Sequence, residues 1–313
     1  MKRKVIKHGP STLIISLPMP WAKKYDVKKG DELEVEEEGA RIIVTTGKEK
    51  KIGEVEVDVT KLDRTSLMYL IRSLYKLGYD EIRLSFKSQS VYHYRKGKEC
   101  SVISVIHEEV NRLTGVEIMQ QKENFCVIKS LSEMAFSEFE PILRRVFLLL
   151  IDMSNDLITG AEKNDLVLLE TLEEKHNTIT KFLSFCMRLL NKKGYSDHKK
   201  TLILYNTVAI LDKVLDVLKN AGRNLVNLNA PMSPKAMELI KKTHKSIVNF
   251  YELFYKYDNA NVLRIAELRD NVLKEILANY NQLTKKELVV INNLAPLLEL
   301  IVALTESKMA LEY

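Results

Sequence analysis

From Leu131 to Tyr313 no stretch alternates apolar and polar residues as a strand would, and apolar residues recur at helical spacing throughout. Six long segments carry that pattern, at about 138–160, 164–191, 198–227, 234–257, 261–283 and 285–311. Breaks are predicted at Gly160, Gly194, Ala230-Pro231 and Asp258-Asn259-Ala260-Asn261, where turn-forming residues interrupt the periodicity. The half before Pro231 also aligns with the half after it. Glu173-Glu174-Lys175-His176 lies over Glu267-Leu268-Arg269-Asp270, and Leu211-Asp212-Lys213-Val214-Leu215-Asp216 over Leu298-Glu299-Leu300-Ile301-Val302-Ala303. Two tandem three-helix halves are predicted, long enough together to pack a bundle.

The first 46 residues follow a different rule. Apolar runs at 13–17, 33–35 and 41–44 predict short strands, and Pro18-Met19-Pro20-Trp21 opens a helical turn between them. Glu36-Glu37-Glu38-Gly39 is the expected turn into the last run. A unit this small buries too little surface to stand alone, so a second chain is expected to complete it. The first 30 residues hold eight Lys/Arg against one acid, Asp26. The whole chain is +6 and this stretch is +7, so the remainder carries about −1. Positive charge gathered at one end is the electrostatic footprint of a nucleic-acid binder.

Between these parts, Gly47-Lys48-Glu49-Lys50-Lys51 reads as a polar linker. Segment 52–130 predicts a βαβαββ order: strand 54–59, helix 63–77 stopped at Gly78, strand 81–86, helix 100–113 stopped at Gly115, and a hairpin of 116–119 with 124–128. That order predicts an α/β sandwich with helices on one face. Tyr92-His93-Tyr94-Arg95-Lys96 is expected in a loop, either as exposed long side chains or as an aromatic–cation nucleic-acid contact. The domains are therefore 1–46, 52–130 and 131–313.

The first 46 residues resemble the AbrB/MazE/SpoVT family. The resemblance lies in the order of basic strand, Gly9-x-Ser11, apolar strand, Leu17-Pro18, Trp21-Ala22-Lys23, Lys29-Gly30-Asp31 and acidic-apolar strand. It implies a swapped-hairpin β-barrel half completed by a partner chain, hence a homodimer, and DNA binding. Pro10 departs from the archaeal versions, where a second glycine is common. The six helices in two repeats, with an acidic i, i+4 pair on the third helix of a half, resemble PhoU. That resemblance implies phosphate-uptake control, contact with a phosphate transporter or signalling component, and carboxylates that hold metal ions in some members. Head and body together are similar to archaeal phosphate-uptake regulators, as is the middle block with Leu74-Tyr75-Lys76-Leu77-Gly78-Tyr79-Asp80 and Thr114-Gly115-Val116-Glu117-Ile118.

Lys2, Arg3, Lys4, Lys7, His8 and Ser11 are the candidate DNA-binding residues, and a merely soluble basic face is the competing reading. Asp212 and Asp216, one helical turn apart, are the candidate metal face, with Glu267, Asp270 and Glu299 in the other half. Oxygen ligands of this kind suit a divalent or iron ion. A solvated polar stripe is the alternative, because Lys213 and Lys219 lie close and because Ala303 and His176 stand where acids belong. No cofactor is otherwise required. The patterns of phosphate loops, zinc hydrolases, serine elbows and CxxC sites do not occur, so no enzyme is expected. Cys100, Cys126 and Cys186 are expected as buried thiols of a cytoplasmic protein. The longest clean apolar run, 146–151, is too short to span a bilayer, and no transmembrane segment is expected. Two functions remain open. One is a DNA-binding regulator of phosphate uptake; the other is a transporter modulator whose head only dimerises.

Overall fold

The computed structural model describes residues 2–38, 41–46, 53–131 and 135–313. The chain divides into two compact units, Met1–Lys51 and Ile52–Tyr313. The expected linker at 47–51 and the Gly39 end of the expected turn lie outside the described residues.

In the first unit, β1 (Ile6–His8) pairs antiparallel with β2 (Thr12–Ile14), in register Ile6 with Ile14 and His8 with Thr12. Gly9 turns the hairpin at φ +76°, a left-handed conformation that a Cβ would strain. A short helix follows, α1 (Met19–Lys24), with Pro20 in its first turn where a missing N–H costs nothing. A second ribbon pairs β3 (Glu34–Glu38) with β4 (Arg41–Thr45). The apolar run at 13–17 thus forms less strand than its pattern predicts, because Ile15 to Leu17 pair with no strand among the described residues. None of the described residues of this unit whose burial is assigned is buried.

The second unit opens with a four-stranded sheet of order β5–β6–β10–β9, in which β5 and β6 are parallel and the other pairs antiparallel. Its strands are β5 (Glu54–Asp58), β6 (Glu81–Ser85), β9 (Val116–Gln121) and β10 (Phe125–Ser130). Register places Val55, Ile82, Ile128 and Ile118 side by side across it, with Val57, Leu84 and Cys126 in the next row. These residues share a core with Leu67, Met68, Ile71, Leu74 and Tyr75 of α2 (Arg64–Leu77) and Val102, Val105 and Ile106 of α3 (Val102–Val110). The Asp63 carboxylate caps α2 by accepting the Thr65 and Ser66 N–H groups at 3.1 Å, and Gly78 ends it at φ +100°.

The stretch expected as a loop is instead the hairpin β7 (Ser90–His93) and β8 (Lys98–Ser101), joined by a tight helical turn at Tyr94–Lys96. Cys100 belongs to β8, so α3 starts two residues later than the expected helix. Alternation in β7 is short and its inward residues are Val91 and His93, which is why the apolar pattern misses it.

Six helices complete this unit: α4 (Phe139–Lys163), α5 (Leu166–Lys193), α6 (His198–Leu228), α7 (Pro234–Tyr255), α8 (Asn259–Ala278) and α9 (Lys285–Glu312). Side-chain caps at Asp165, Asp197, Ser233, Asp258 and Thr284 start five of them. Gly160 does not stop α4 as expected; the helix runs on to an Asn164 cap at φ +51°. The glycine instead permits a close crossing, since a Cβ there would lie 2.6 Å from Leu169. The two halves meet through like helices: α4 packs on α7 and α6 on α9. Among the described residues α9 is the helix long and apolar enough, by length and composition, to cross a membrane. It packs against α6, α7 and α8, and Asn292, Asn293 and Glu299 break its apolar runs.

The α6–α5 crossing yields a stability prediction. A Cβ on Gly222 would sit 2.7 Å from Leu172 Cδ1. Gly222→Ala is therefore expected to lower the unfolding free energy by about 1–3 kcal/mol, despite alanine's better helix propensity. Equal or higher stability in urea unfolding would mean that Leu172 moves aside freely.

Candidate nucleic-acid interface

Lys2, Arg3 and Lys4 precede β1, Lys7 and His8 lie on it, and Ser11 sits in the turn after it. All six are exposed, and none of the four cations forms an ion pair with a described residue. Lys28 differs: its Nζ lies 3.1 Å from Asp26, and its N–H donates to the Asp31 carboxylate at 2.8 Å. These four cations, without an acidic partner among the described residues, lie on and just before β1. In the same unit, Val5, Leu13 and Ile42 are 62%, 70% and 66% exposed. Burying one branched aliphatic side chain is worth about 1.5–3 kcal/mol. A single copy of this unit leaves that stabilisation unused. Trp21 is half-buried beside Tyr25 at 5.6 Å between ring centroids.

Four of the five candidate metal residues, Asp212, Asp216, Asp270 and Glu299, lie against cations of the protein. Asp216 accepts from Lys219 Nζ at 2.6 Å and lies 3.1 Å from His176 Nε2. Burial alone would raise its pKa, but the hydrogen bonds from His176 and Lys219 outweigh it and hold the carboxyl well below the usual range. Asp212 lies 3.9 Å from Lys76 on α2. In the other half, Arg269 lies 3.1 Å from Asp270 and 3.5 Å from Glu299, and Glu267 is exposed. No three acidic, histidine or cysteine side chains converge as metal ligands among the described residues. A carboxylate already neutralised by Lys or Arg is a poor ligand, so the donor set does not fit a metal ion.

The Asp216 contacts carry a pH dependence. A depressed carboxyl pKa contributes stability above the unfolded value, and this is lost as pH falls through the folded one. The thermal midpoint of wild type is expected to exceed that of Asp216→Asn near neutral pH, with the gap closing under acid conditions. A gap independent of pH would contradict the ion-pair account.

Two histidines on the helices have side-chain partners. His107 Nε2 lies 3.0 Å from the Gln121 side chain, and His244 Nδ1 lies 2.6 Å from Ser154 Oγ. Cys126 and Cys186 are buried, with thiols that burial raises to about 11 and about 12; Cys100 is half-buried. Such thiols are poor nucleophiles at neutral pH.

Sequence reasoning missed the joint between the α/β block and the helices, which lies within the second unit. Arg188 of α5, 1% exposed, donates to the Tyr75 carbonyl at 2.8 Å and to Asp80 at 3.2 Å. Its guanidinium also lies 4.8 Å from the Tyr75 ring centroid. Lys192 donates to Asp80 at 2.6 Å, and Asn191 to the Lys76 carbonyl at 2.7 Å. A lone arginine within Phe185-Cys186-Met187-Arg188-Leu189-Leu190 is the signal that could have found it.

Residues 6–52 match the family described as antidote-toxin recognition MazE, bacterial antitoxin. The head is similar to MazE-type antitoxin domains. Among solved structures, the phosphate transport system regulatory protein PhoU from Streptococcus pneumoniae is a neighbour at 16% identity. The match covers 56% of this chain and 94% of that one, with a TM-score of 0.46. No curated protein matches the chain.

Proposed function

We propose that this chain is a DNA-binding transcriptional regulator of phosphate uptake, dimeric through its MazE-like head. The observation that carries the DNA-binding part is the head itself: unpaired cations on and before β1 beside apolar ribbons that lack a core in one chain. Pairing two heads would bury the apolar residues and double the cations, and electrostatic affinity for DNA grows with each phosphate neutralised. The phosphate part rests on the resemblance of the two three-helix halves to PhoU. The body then acts as the sensing or partner-binding part and carries no catalysis. Its ligand or partner regulates by binding one arrangement of the dimer better than another.

The test is a mobility shift on DNA upstream of phosphate-transport genes against scrambled DNA, at low and high salt. Specific retention that weakens steeply with salt is expected, because bound counterions are released. No retention at low salt would reduce the head to a dimer clasp and leave the protein a non-DNA-binding modulator of phosphate transport.

A further inference from the structure

The hairpin β7–β8 packs on its block through one face only. Its inner face is used: Val91 and His93 are buried, and Cys100 Sγ lies 3.5 Å from the Val91 carbonyl. Its outer face and tip are not. Tyr92 and Tyr94 are 42% and 75% exposed and meet edge to face, with centroids 4.9 Å apart. Arg95, Lys96 and Lys98 are exposed, and none forms an ion pair among the described residues. From Tyr94 to Lys98 there are three cations and no acid.

Of the nearby acids, Glu108 pairs with Arg64 at 2.6 Å, while Glu99 accepts from the neutral Ser90 hydroxyl at 2.7 Å and keeps its charge beside the three cations. Burial, then the positive charges of Arg64, Lys96 and Arg95, hold the His93 imidazole below its ordinary pKa, so histidine adds no charge to the tip near neutral pH. Gly97, at φ +59°, closes the turn in the left-handed conformation that glycine adopts without strain. The tip is a positive point on a two-stranded ribbon, beside two aromatic rings.

We propose that this hairpin is a second DNA contact, in which Arg95, Lys96 and Lys98 bind backbone phosphates and Tyr94 packs on the sugar–base surface. A two-stranded ribbon is a shape that the major groove admits, and phosphate contacts position a protein without reading sequence. The polyanion is the partner that matches three unpaired cations beside exposed aromatic rings. This inference rests on the DNA-binding reading and adds a contact outside the head.

The experiment uses the full chain and a labelled mixed-sequence duplex, titrated by fluorescence anisotropy over a series of salt concentrations. Arg95→Gln/Lys96→Gln/Lys98→Gln is compared with wild type, with circular dichroism confirming that both are folded. The variant is expected to bind more weakly at low salt, and its slope of log affinity against log salt should be shallower by roughly 0.9 for every phosphate it no longer neutralises. In a Trp21→Phe background, Tyr94→Trp places a reporter at the tip, and its emission should change when duplex is added. An unchanged slope together with silent tip fluorescence, while wild type binds, overturns the hairpin contact and leaves the head reading intact. No binding by wild type at low salt overturns both.

Discussion

Replacing Lys4 and Lys7 together by glutamate is expected to abolish DNA binding while the protein stays dimeric. Lys7 lies on β1 and Lys4 just before it, both exposed and without an acidic partner among the described residues. Each substitution turns a phosphate-attracting charge into a repelling one, and a two-chain head carries every change twice. Every phosphate left without its lysine takes roughly 0.9 off the salt slope, so affinity should fall by orders of magnitude at moderate salt. The proposed dimer would draw on a different set of side chains, the exposed Val5, Ile6, Leu13 and Ile42, which the substitutions leave alone. Anisotropy would measure the first outcome and light scattering the second. Undiminished DNA binding would remove the head from the DNA interface, and a monomeric variant would mean that the lysines also support the pairing.

Removing Glu109 alone is expected to destabilise the second unit by about 3–5 kcal/mol, whereas removing its whole ion pair is expected to be close to neutral. Glu109 of α3 is fully buried and holds Arg72 of α2 by two bonds, at 2.7 and 3.0 Å. Glu109→Ala leaves the mostly buried guanidinium without its partner. Arg72→Met with Glu109→Leu keeps the volume and removes the desolvation cost of both charges. Burial, even against the attraction of Arg72, lifts the Glu109 carboxyl above its ordinary range. A raised carboxyl pKa means stability that is present below the unfolded value and declines as pH rises through the folded one. The double variant should therefore compare best with wild type at neutral or higher pH, and less well in acid. Chemical unfolding of the three proteins at two pH values measures all of this. A mild loss in Glu109→Ala, or a large one in the double variant, would mean that the pair contributes net stability by another route.

Much of the helical body was legible because its signals are local. The apolar stripe repeats every three to four residues, and Asp165, Asp197, Ser233, Asp258 and Thr284 each cap a helix within their own neighbourhood. The tandem halves were legible for the same reason: Leu211 and Leu298 fall at the same place along α6 and α9. The β7–β8 hairpin was hidden, since its strands are four residues each and its tip reads as an exposed polar loop.

The candidate sites divide along the same line. Sequence alone determined that positive charge is gathered at the start of the chain and that acids recur on the helices, because charge and spacing are properties of a segment. Only the tertiary structure decided what those acids meet: Asp212 faces Lys76, Asp216 faces Lys219 and His176, and Arg188 sits under Tyr75 and Asp80. Those partners are 40 or more residues away in most cases. Periodicity records which side of a helix is apolar. Which charge lies across the interface depends on how the helices cross, and that is set by packing at close approaches such as Gly222 against Leu172.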